Sequence, residues 1–113
     1  MAPAIEKEEK GIFFLIRVTG DFNIKSIRAI RECIEEADTI GHIYIAFDLR
    51  KTTFVDSSGI GLIMNVHKKL SAKQGSVYLV GIPPSISETI RVSGILQLVP
   101  HFETLEEAER QIG

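Results

Sequence analysis

The sequence predicts a small α/β domain in which a mixed, mostly parallel sheet of four to five strands carries about four helices, packed mainly on one side. Two observations carry this prediction. Strand-like and helix-like segments alternate after an initial hairpin, which is typical of helices that cross over a parallel sheet. The segment 42–49 is also apolar on both faces, as in a strand that is covered on both sides. With 113 residues, 44% of them hydrophobic and 25% charged, we expect one domain over residues 1–113.

The first part of the chain predicts a hairpin followed by a helix. Residues 11–20 are β-branched and aromatic with a glycine at each end, which favours a strand, and residues 3–8 supply its partner. A turn is expected at 20–23, after which apolar residues recur every three to four positions. This period predicts an amphipathic helix, with Gly41 just beyond its end. Its apolar stripe consists of Ile24, Ile27, Ile30, Ile34 and Ala37.

The second half of the chain continues the alternation of strands and helices. Residues 52–55 lead into a helix that begins after Asp56 and ends at Gly75. One face of this helix is apolar and the other is a solvated, lysine-bearing face. The apolar face consists of Ile60, Ile63, Val66, His67 and Leu70. The lysine-bearing face consists of Lys68, Lys69 and Lys73. We then expect a strand at 77–80, a helix at 85–92 and a brief strand at 98–100. A last helix begins with the capping box of Thr104 and Glu107, and its apolar residues are Leu105, Ala108 and Ile112.

Composition argues against several classes of partner and compartment. The net charge of −2, with basic residues interleaved among acids, does not favour nucleic acid. The longest apolar runs, 12–16 and 43–47, are much shorter than the roughly 20 residues of a membrane-spanning helix. The first ten residues lack the order of a signal peptide, so we expect a cytoplasmic protein without membrane insertion. The lone Cys33 fits a reducing compartment and is expected to pack as a small hydrophobe.

No residue pattern favours an enzyme, a metal site or a cofactor. The three histidines, His42, His67 and His101, lack the spacing of metal ligands. The segment around Ser57 is not Gly-x-Ser-x-Gly and no histidine is brought near it, so a hydrolase is poorly supported. Gly59-x-Gly61 is half of a dinucleotide fingerprint at best, and no Walker motif is present. We therefore expect a binding protein rather than an enzyme.

The segment Asp56-Ser57-Ser58-Gly59 has two interpretations, because it lies where a buried strand meets a helix. In the first, Asp and Ser oxygens simply cap the free N–H groups of the helix, and Gly59 permits close packing. In the second, a hydroxyl at a helix N-terminus accepts a phosphate, since the helix dipole favours negative charge there. Phosphorylation would add about −1.5 to −2 charges and would alter a partner-binding surface. The residues alone favour capping.

The motif and its surroundings resemble the STAS domain of anti-sigma factor antagonists over nearly the whole chain. The resemblance rests on 55–62, preceded by the strand that ends at 47–49, with weaker matches at 20–23 and 92–95. It implies that Ser57 is phosphorylated by a serine kinase that is also the anti-sigma factor. The unphosphorylated form would bind the kinase and free a sigma factor, and a serine phosphatase would reset the cycle. Ser58 would shape the turn and would not be the acceptor.

The resemblance also implies a partner-binding surface formed by the first turn and by the helix start. Its residues are Asp21, Phe22, Asn23, Ile24, Asp56, Ser58, Gly59 and Ile60. Asn23 departs from the family, whose turn usually ends in Asp; the missing charge either makes modification of Ser57 less efficient or reduces repulsion toward a phosphoserine. Phe22 and Ile24 are open to two interpretations, as anchors for a partner or as core contacts at a helix start.

A second function of the same fold remains open. The chain would then be a STAS regulatory or scaffold subunit of a transporter or of a stress-signalling complex, in which Ser57 is not modified. The sequence does not distinguish these hypotheses, and it gives no indication of the oligomeric state.

Overall fold

A five-stranded sheet forms the centre of the computed structural model, which describes residues 5–112. Its strands are β1 (Ile5–Lys10), β2 (Phe13–Val18), β4 (Tyr44–Asp48), β6 (Ser76–Val80) and β7 (His101–Phe102), in the order β1-β2-β4-β6-β7. β1 and β2 form an antiparallel hairpin, and every other neighbouring pair is parallel. The predicted hairpin and the mixed, mostly parallel sheet are therefore confirmed. Pro3 and Ala4, which we expected in the first strand, lie outside the described residues.

Two further strands, β3 (Gly20–Phe22) and β5 (Thr52–Val55), form a small parallel sheet of their own. The prediction of a simple turn at 20–23 was therefore wrong for its first three residues. They extend because they pair with a strand 30 residues further along the chain, with Phe22 in register with Val55. Gly20, at a φ of 84°, makes the sharp entry into β3.

The four helices are distributed unequally over the two faces of the central sheet. They are α1 (Ile24–Ile40), α2 (Ser57–Ser71), α3 (Pro84–Ser93) and α4 (Leu105–Ile112). The first three pack on the face that carries Phe14, Ile16 and Phe47, whereas α4 covers the opposite face at Phe13 and Leu15. Consecutive residues of β2 point to opposite faces, and both faces are buried because helices cover both. The expectation of helices mainly on one side is confirmed.

The apolar stripe of α1 differs from the predicted one. Its buried residues are Ser26, Ile30, Cys33 and Ala37, whereas Ile24 is 69% exposed. Burial of Ser26 is tolerated because its hydroxyl donates to the Asn23 carbonyl and accepts from the Asn23 N–H. Cys33 is buried as expected, and burial raises the pKa of its thiol.

The expected strand at 98–100 was wrong. A short 3₁₀ helix, Ile95–Gln97, follows α3 instead, and the strand begins later, as β7 at His101. Gly94 adopts a left-handed conformation with a φ of 78°, and the Ser93 hydroxyl accepts from the Ile95 N–H at 3.1 Å. These local interactions tighten the chain into a turn before it can extend.

None of the helices within residues 5–112 has the length and apolar character that a bilayer-crossing segment requires.

Candidate functional site

The Asp56-Ser57-Ser58-Gly59 segment forms the start of α2. Asp56 is the N-cap residue, in an extended conformation, and its Oδ1 accepts from the N–H groups of Ser58 at 2.9 Å and Gly59 at 3.1 Å. Ser57 is the first residue of the helix and is exposed. Asp56 therefore already occupies two of the amides that a helix N-terminus offers to an anion, and a phosphate on Ser57 would lie beside a carboxylate.

The start of α1 lies next to the start of α2 because β3 and β5 are paired. The Asp56 N–H donates to the Phe22 carbonyl at 3.3 Å, which joins the two segments directly. Asn23 caps α1, with its Oδ1 accepting from the Lys25 N–H at 3.0 Å. The capping function at this position needs an oxygen acceptor and no charge, so Asn performs it as Asp would. The two predicted segments are thus brought together at one surface.

The predicted partner-binding residues differ in their accessibility. Asp21 and Ile24 are exposed, and Asn23, Asp56, Ser58 and Ile60 are half-buried. Phe22 is fully buried and Gly59 is buried as well. These two residues therefore cannot be touched by a partner in this conformation, and our expectation of direct contact was wrong for them. Phe22 packs in the core against Phe47, with ring centroids 6.0 Å apart, so the core interpretation holds for this residue.

A groove between α2 and α3 begins at Ser57 and has a volume of about 640 Å³. From α2 it is lined by Ser57, Ile60, Gly61 and Met64, and from α3 by Glu88, Thr89, Val92 and Ser93. Val92 is 69% exposed, which is high for a valine on a helix facing a groove. Among residues 5–112, the charged residues that line the groove are the acids Asp56 and Glu88. A phosphate on Ser57 would add to a negative potential here.

Met64, Val92 and Phe54 are accessible apolar residues that the sequence did not indicate as part of this surface. Phe54 lies in β5, in register with Asp21, and is 50% exposed. The segment 92–95 had been noted as a motif, but no periodicity shows that α3 lies beside α2. β5 pairs only with the three-residue strand β3, and one side of Phe54 remains uncovered.

An ion-pair network around one buried carboxylate lies at the loop that leads into this site. Asp48, at the end of β4, is 1% exposed and accepts from Arg17 Nε at 3.1 Å, from Arg50 Nε at 3.0 Å and from Arg50 Nη2 at 2.7 Å. Burial alone would raise the pKa of Asp48, but the hydrogen bonds from Arg50 and Arg17 outweigh it and hold the pKa below its ordinary value of 3.8. The following Lys51 carbonyl accepts from the Gly20 N–H at 2.9 Å, which fixes the start of β3.

The described residues show no cluster of three or more histidine, cysteine or acidic side chains that could hold a metal ion. His67 faces the core of the domain, and its Nδ1 accepts from the Val77 N–H at 3.2 Å. Burial lowers the pKa of His67. These contacts give the histidine a structural role that joins α2 to β6.

Comparison with known proteins shows that the chain belongs to the STAS domain family, whose model matches residues 4–108. The family resemblance seen in the sequence is thereby confirmed. The anti-sigma F factor antagonist of Paenibacillus polymyxa is 24% identical over 100 residues, which cover 88% of this chain and 86% of that protein. The Bacillus cell fate determinant SpoIIAA in its phosphorylated form has 25% identity and a TM-score of 0.72, covering 95% of this chain and 98% of that one.

The same fold also occurs in a protein of a different kind. The murine anion transporter Slc26a9 matches with a TM-score of 0.71 and 14% identity, covering 91% of this chain but 18% of the transporter. At this identity the likeness shows the fold alone, so the fold by itself does not distinguish a free regulator from a transporter domain.

Proposed function

We propose that this protein is an anti-sigma factor antagonist, a cytoplasmic regulator without enzymatic activity that controls transcription by switching partners. Unphosphorylated, it binds an anti-sigma factor that is a serine kinase, and a sigma factor is released. Phosphorylation at Ser57 by that kinase ends the complex, and a serine phosphatase restores it. The similarity to anti-sigma factor antagonists over most of both chains supports this role.

The observation that carries the proposal is the position of Ser57. Its side chain is exposed at the first residue of α2, at the end of the groove that Ile60, Met64 and Val92 line. A kinase can reach the hydroxyl without unfolding the helix, and a partner seated on the groove would cover it. A phosphate there adds about −1.5 to −2 charges to a surface that already carries Asp56 and Glu88. It would weaken the complex with a partner by charge repulsion and by the cost of desolvating the phosphate, and it would leave the fold unchanged.

Ile24 is an apolar residue that a partner could bury on the proposed surface. It is 69% exposed at the start of α1, which the β3–β5 pairing holds beside the start of α2. Burying the exposed part of this side chain under a partner would contribute about 1–2 kcal/mol. Asn23 beside it is uncharged, and we infer that this lowers the repulsion toward a phosphate on Ser57.

Intact-mass analysis of the protein purified from its native host tests the modification. We expect a mass gain of one phosphate group in the native chain and in Ser58→Ala, and no gain in Ser57→Ala. Ser58 is the matched control because it is the neighbouring serine of the same helix turn. A gain that survives in Ser57→Ala would contradict Ser57 as the acceptor, and the lack of any gain across growth conditions would contradict phosphorylation altogether.

Binding to the anti-sigma kinase encoded by the same organism tests the switch. We expect Ser57→Ala to bind, Ser57→Asp to bind at least about tenfold more weakly, and Ile24→Ser to bind more weakly without loss of stability. Exposed Ile40, at the other end of α1, provides the control variant Ile40→Ser. Equal binding by Ser57→Ala and Ser57→Asp would contradict the switch.

The alternative is a STAS subunit of a transporter or of a stress-signalling assembly, in which Ser57 is never modified. The likeness of the fold to the Slc26a9 transporter is the observation that favours it. Stable copurification with a membrane transporter, together with an unmodified Ser57, would support this function over the first.

A further inference from the structure

A second groove lies between α1 and α2, toward the C-terminal ends of both helices and away from Ser57. It consists of two adjoining depressions of about 370 and 380 Å³ that share Ile34, Glu35, Val66 and Lys69. Its floor is apolar and is formed by Ile34, Ile45, Leu62, Val66 and Leu70. On α2 the groove extends from Leu62 to Leu70, which is about 12 Å or just over two helical turns, and it continues to Ala72 and Lys73 in the turn after the helix.

The rim of this groove is positively charged, although the whole chain has a net charge of −2. Its cations are Arg31, Lys68, Lys69 and Lys73, and its acids are Glu35 and Asp38. Lys73 Nζ donates to Asp38 Oδ1 at 2.7 Å, which neutralises one pair. The pKa of Asp38 is lowered by this hydrogen bond and, to a smaller extent, by the charge of Lys69.

Three of the rim cations make no salt bridge with another described residue. Among residues 5–112, the salt bridges of α1 and α2 are Lys7–Glu36, Arg28–Glu32 and Lys73–Asp38, and none of them includes Arg31, Lys68 or Lys69. Lysine side chains on one helix and an arginine on the other thus flank an apolar floor. Lys68 and Lys69 had been expected to form only a solvated face.

We propose that the α1–α2 groove binds an acidic, amphipathic segment of a partner protein, with apolar side chains on the groove floor and carboxylates against Arg31, Lys68 and Lys69. A helix of two to three turns matches the length of the groove, and helix-in-groove binding uses this arrangement of apolar anchors. The apolar floor favours an amphipathic protein segment over nucleic acid, because a phosphate backbone has no apolar face to bury there. A protein segment can also carry its carboxylates only opposite the cations, whereas a continuous phosphate backbone would also lie against Glu35 and Asp38. Since the groove lies away from the start of α2, binding does not depend on the state of Ser57.

A synthetic peptide provides the probe for this second surface. It is an amphipathic helical peptide of about 14 residues with leucines along one face and glutamates on both sides of that face; in the control peptide, glutamine replaces every glutamate. Amide chemical shifts of the full-length protein locate the binding site, and fluorescence anisotropy gives the affinity. We expect shifts confined to 31–45 and 62–73, affinity that falls with salt, and weaker binding of the glutamine peptide.

Charge-reversal variants of the protein complete the test. Lys68→Glu/Lys69→Glu should lower the affinity by about tenfold, since two attractive exposed pairs become repulsive. Lys10→Glu/Arg110→Glu makes the same change in net charge at exposed positions of β1 and α4, and it should bind as the native chain does. Ser57→Asp should also leave the affinity unchanged, which separates this surface from the partner switch.

Several results would overturn the proposal. These are the absence of shifts at millimolar peptide, shifts centred on the α2–α3 groove, equal loss of affinity in the two charge-reversal variants, and equal binding of the two peptides. Tighter binding of a single-stranded oligonucleotide at the same residues would show that the groove is a nucleic-acid site instead.

Discussion

Gly59 lies directly against Phe22. A Cβ at Gly59 would lie 2.7 Å from Phe22 Cδ1, 2.8 Å from the Phe22 carbonyl oxygen and 2.9 Å from Val55 Cγ2. All three distances are shorter than any ordinary carbon contact, and the Phe22 oxygen belongs to the backbone pairing that joins β3 to α2. The glycine therefore sets how closely α2 approaches β3, and with it the distance between the two segments of the candidate site.

Gly59→Ala is expected to destabilise the protein, and Gly61→Ala to stabilise it. The first change forces Phe22 and the β3 backbone aside, at a cost of about 1–3 kcal/mol. Gly61 is in the same helix, but no side chain and no other element of the described chain lies within 4 Å of its Cβ position, so alanine there gains about 0.5–1 kcal/mol from helix propensity. Denaturant unfolding measures both. Equal effects of the two variants would contradict the close packing of Gly59.

The N-cap at Asp56 gives a second prediction. Asp56→Ala removes the acceptor of two amide N–H groups and should lower the free energy of unfolding by about 0.5–2 kcal/mol. Asp56→Asn retains an oxygen acceptor and should cost less. If Asn were as destabilising as Ala, the charge of Asp56 on the helix dipole, and not the cap, would be its main contribution. Thermal melts at neutral pH compare the three chains.

Stability is expected to fall below pH 6.5 because of His67. Burial lowers the pKa of His67 from its ordinary value of 6.5, and the Val77 N–H needs an unprotonated Nδ1. The unfolded chain therefore binds the proton first, so the stabilisation is present above pH 6.5 and is lost as the pH falls toward the lower pKa of the folded state. His67→Gln retains a hydrogen-bond acceptor and should show a smaller loss of stability over this range.

His67→Leu provides the complementary variant at the same position. It leaves the Val77 N–H buried without an acceptor, which should cost about 1–3 kcal/mol even at pH 8. Urea unfolding at several pH values measures both effects. A pH profile of His67→Gln that matches the native one would show that His67 does not cause the loss.

Removal of the Asp48 carboxylate is expected to destabilise the loop that precedes β5. Asp48→Ala leaves Arg17 and Arg50 without their shared partner and should cost about 2–4 kcal/mol, below the cost of a fully buried pair because the Arg50 side chain is 59% exposed. The pKa of Asp48 is lowered, so its contribution is present above pH 3.8 and is lost as the pH falls through its folded value. Glu36→Ala is the control variant. Glu36 forms an exposed ion pair with Lys7, and its loss should change the free energy of unfolding by less than about 1 kcal/mol.

Amide exchange at Gly20 reports on the same loop. The Gly20 N–H donates to the carbonyl of Lys51, which lies three residues after Asp48 in the same loop. We expect faster exchange of this amide in Asp48→Ala than in the native chain, under conditions where both remain folded. Unchanged exchange at Gly20 would contradict a role of Asp48 in holding the loop.

The sequence by itself determined the elements whose causes are local. Short apolar, β-branched segments located the central strands, and period-3.6 patterns located the helices. Gly41 lies just beyond the end of α1, as expected, and adopts a left-handed conformation there. The capping motif at Asp56 was also readable, because an Asp before an apolar-periodic run has a definite local role. The family followed from residues 55–62, which form one continuous segment.

Only the tertiary structure decided the features that depend on distant neighbours. β3 exists because Phe22 pairs with Val55, 33 positions further along the chain, and Phe22 is core rather than surface because α2 closes over it. The exposed apolar residues Phe54 and Val92, the ion pairs of Asp48 and the basic rim of the α1–α2 groove likewise arise between elements that no periodicity brings together. Local patterns report which side of an element is apolar, whereas a surface for a partner is defined by what remains uncovered after packing.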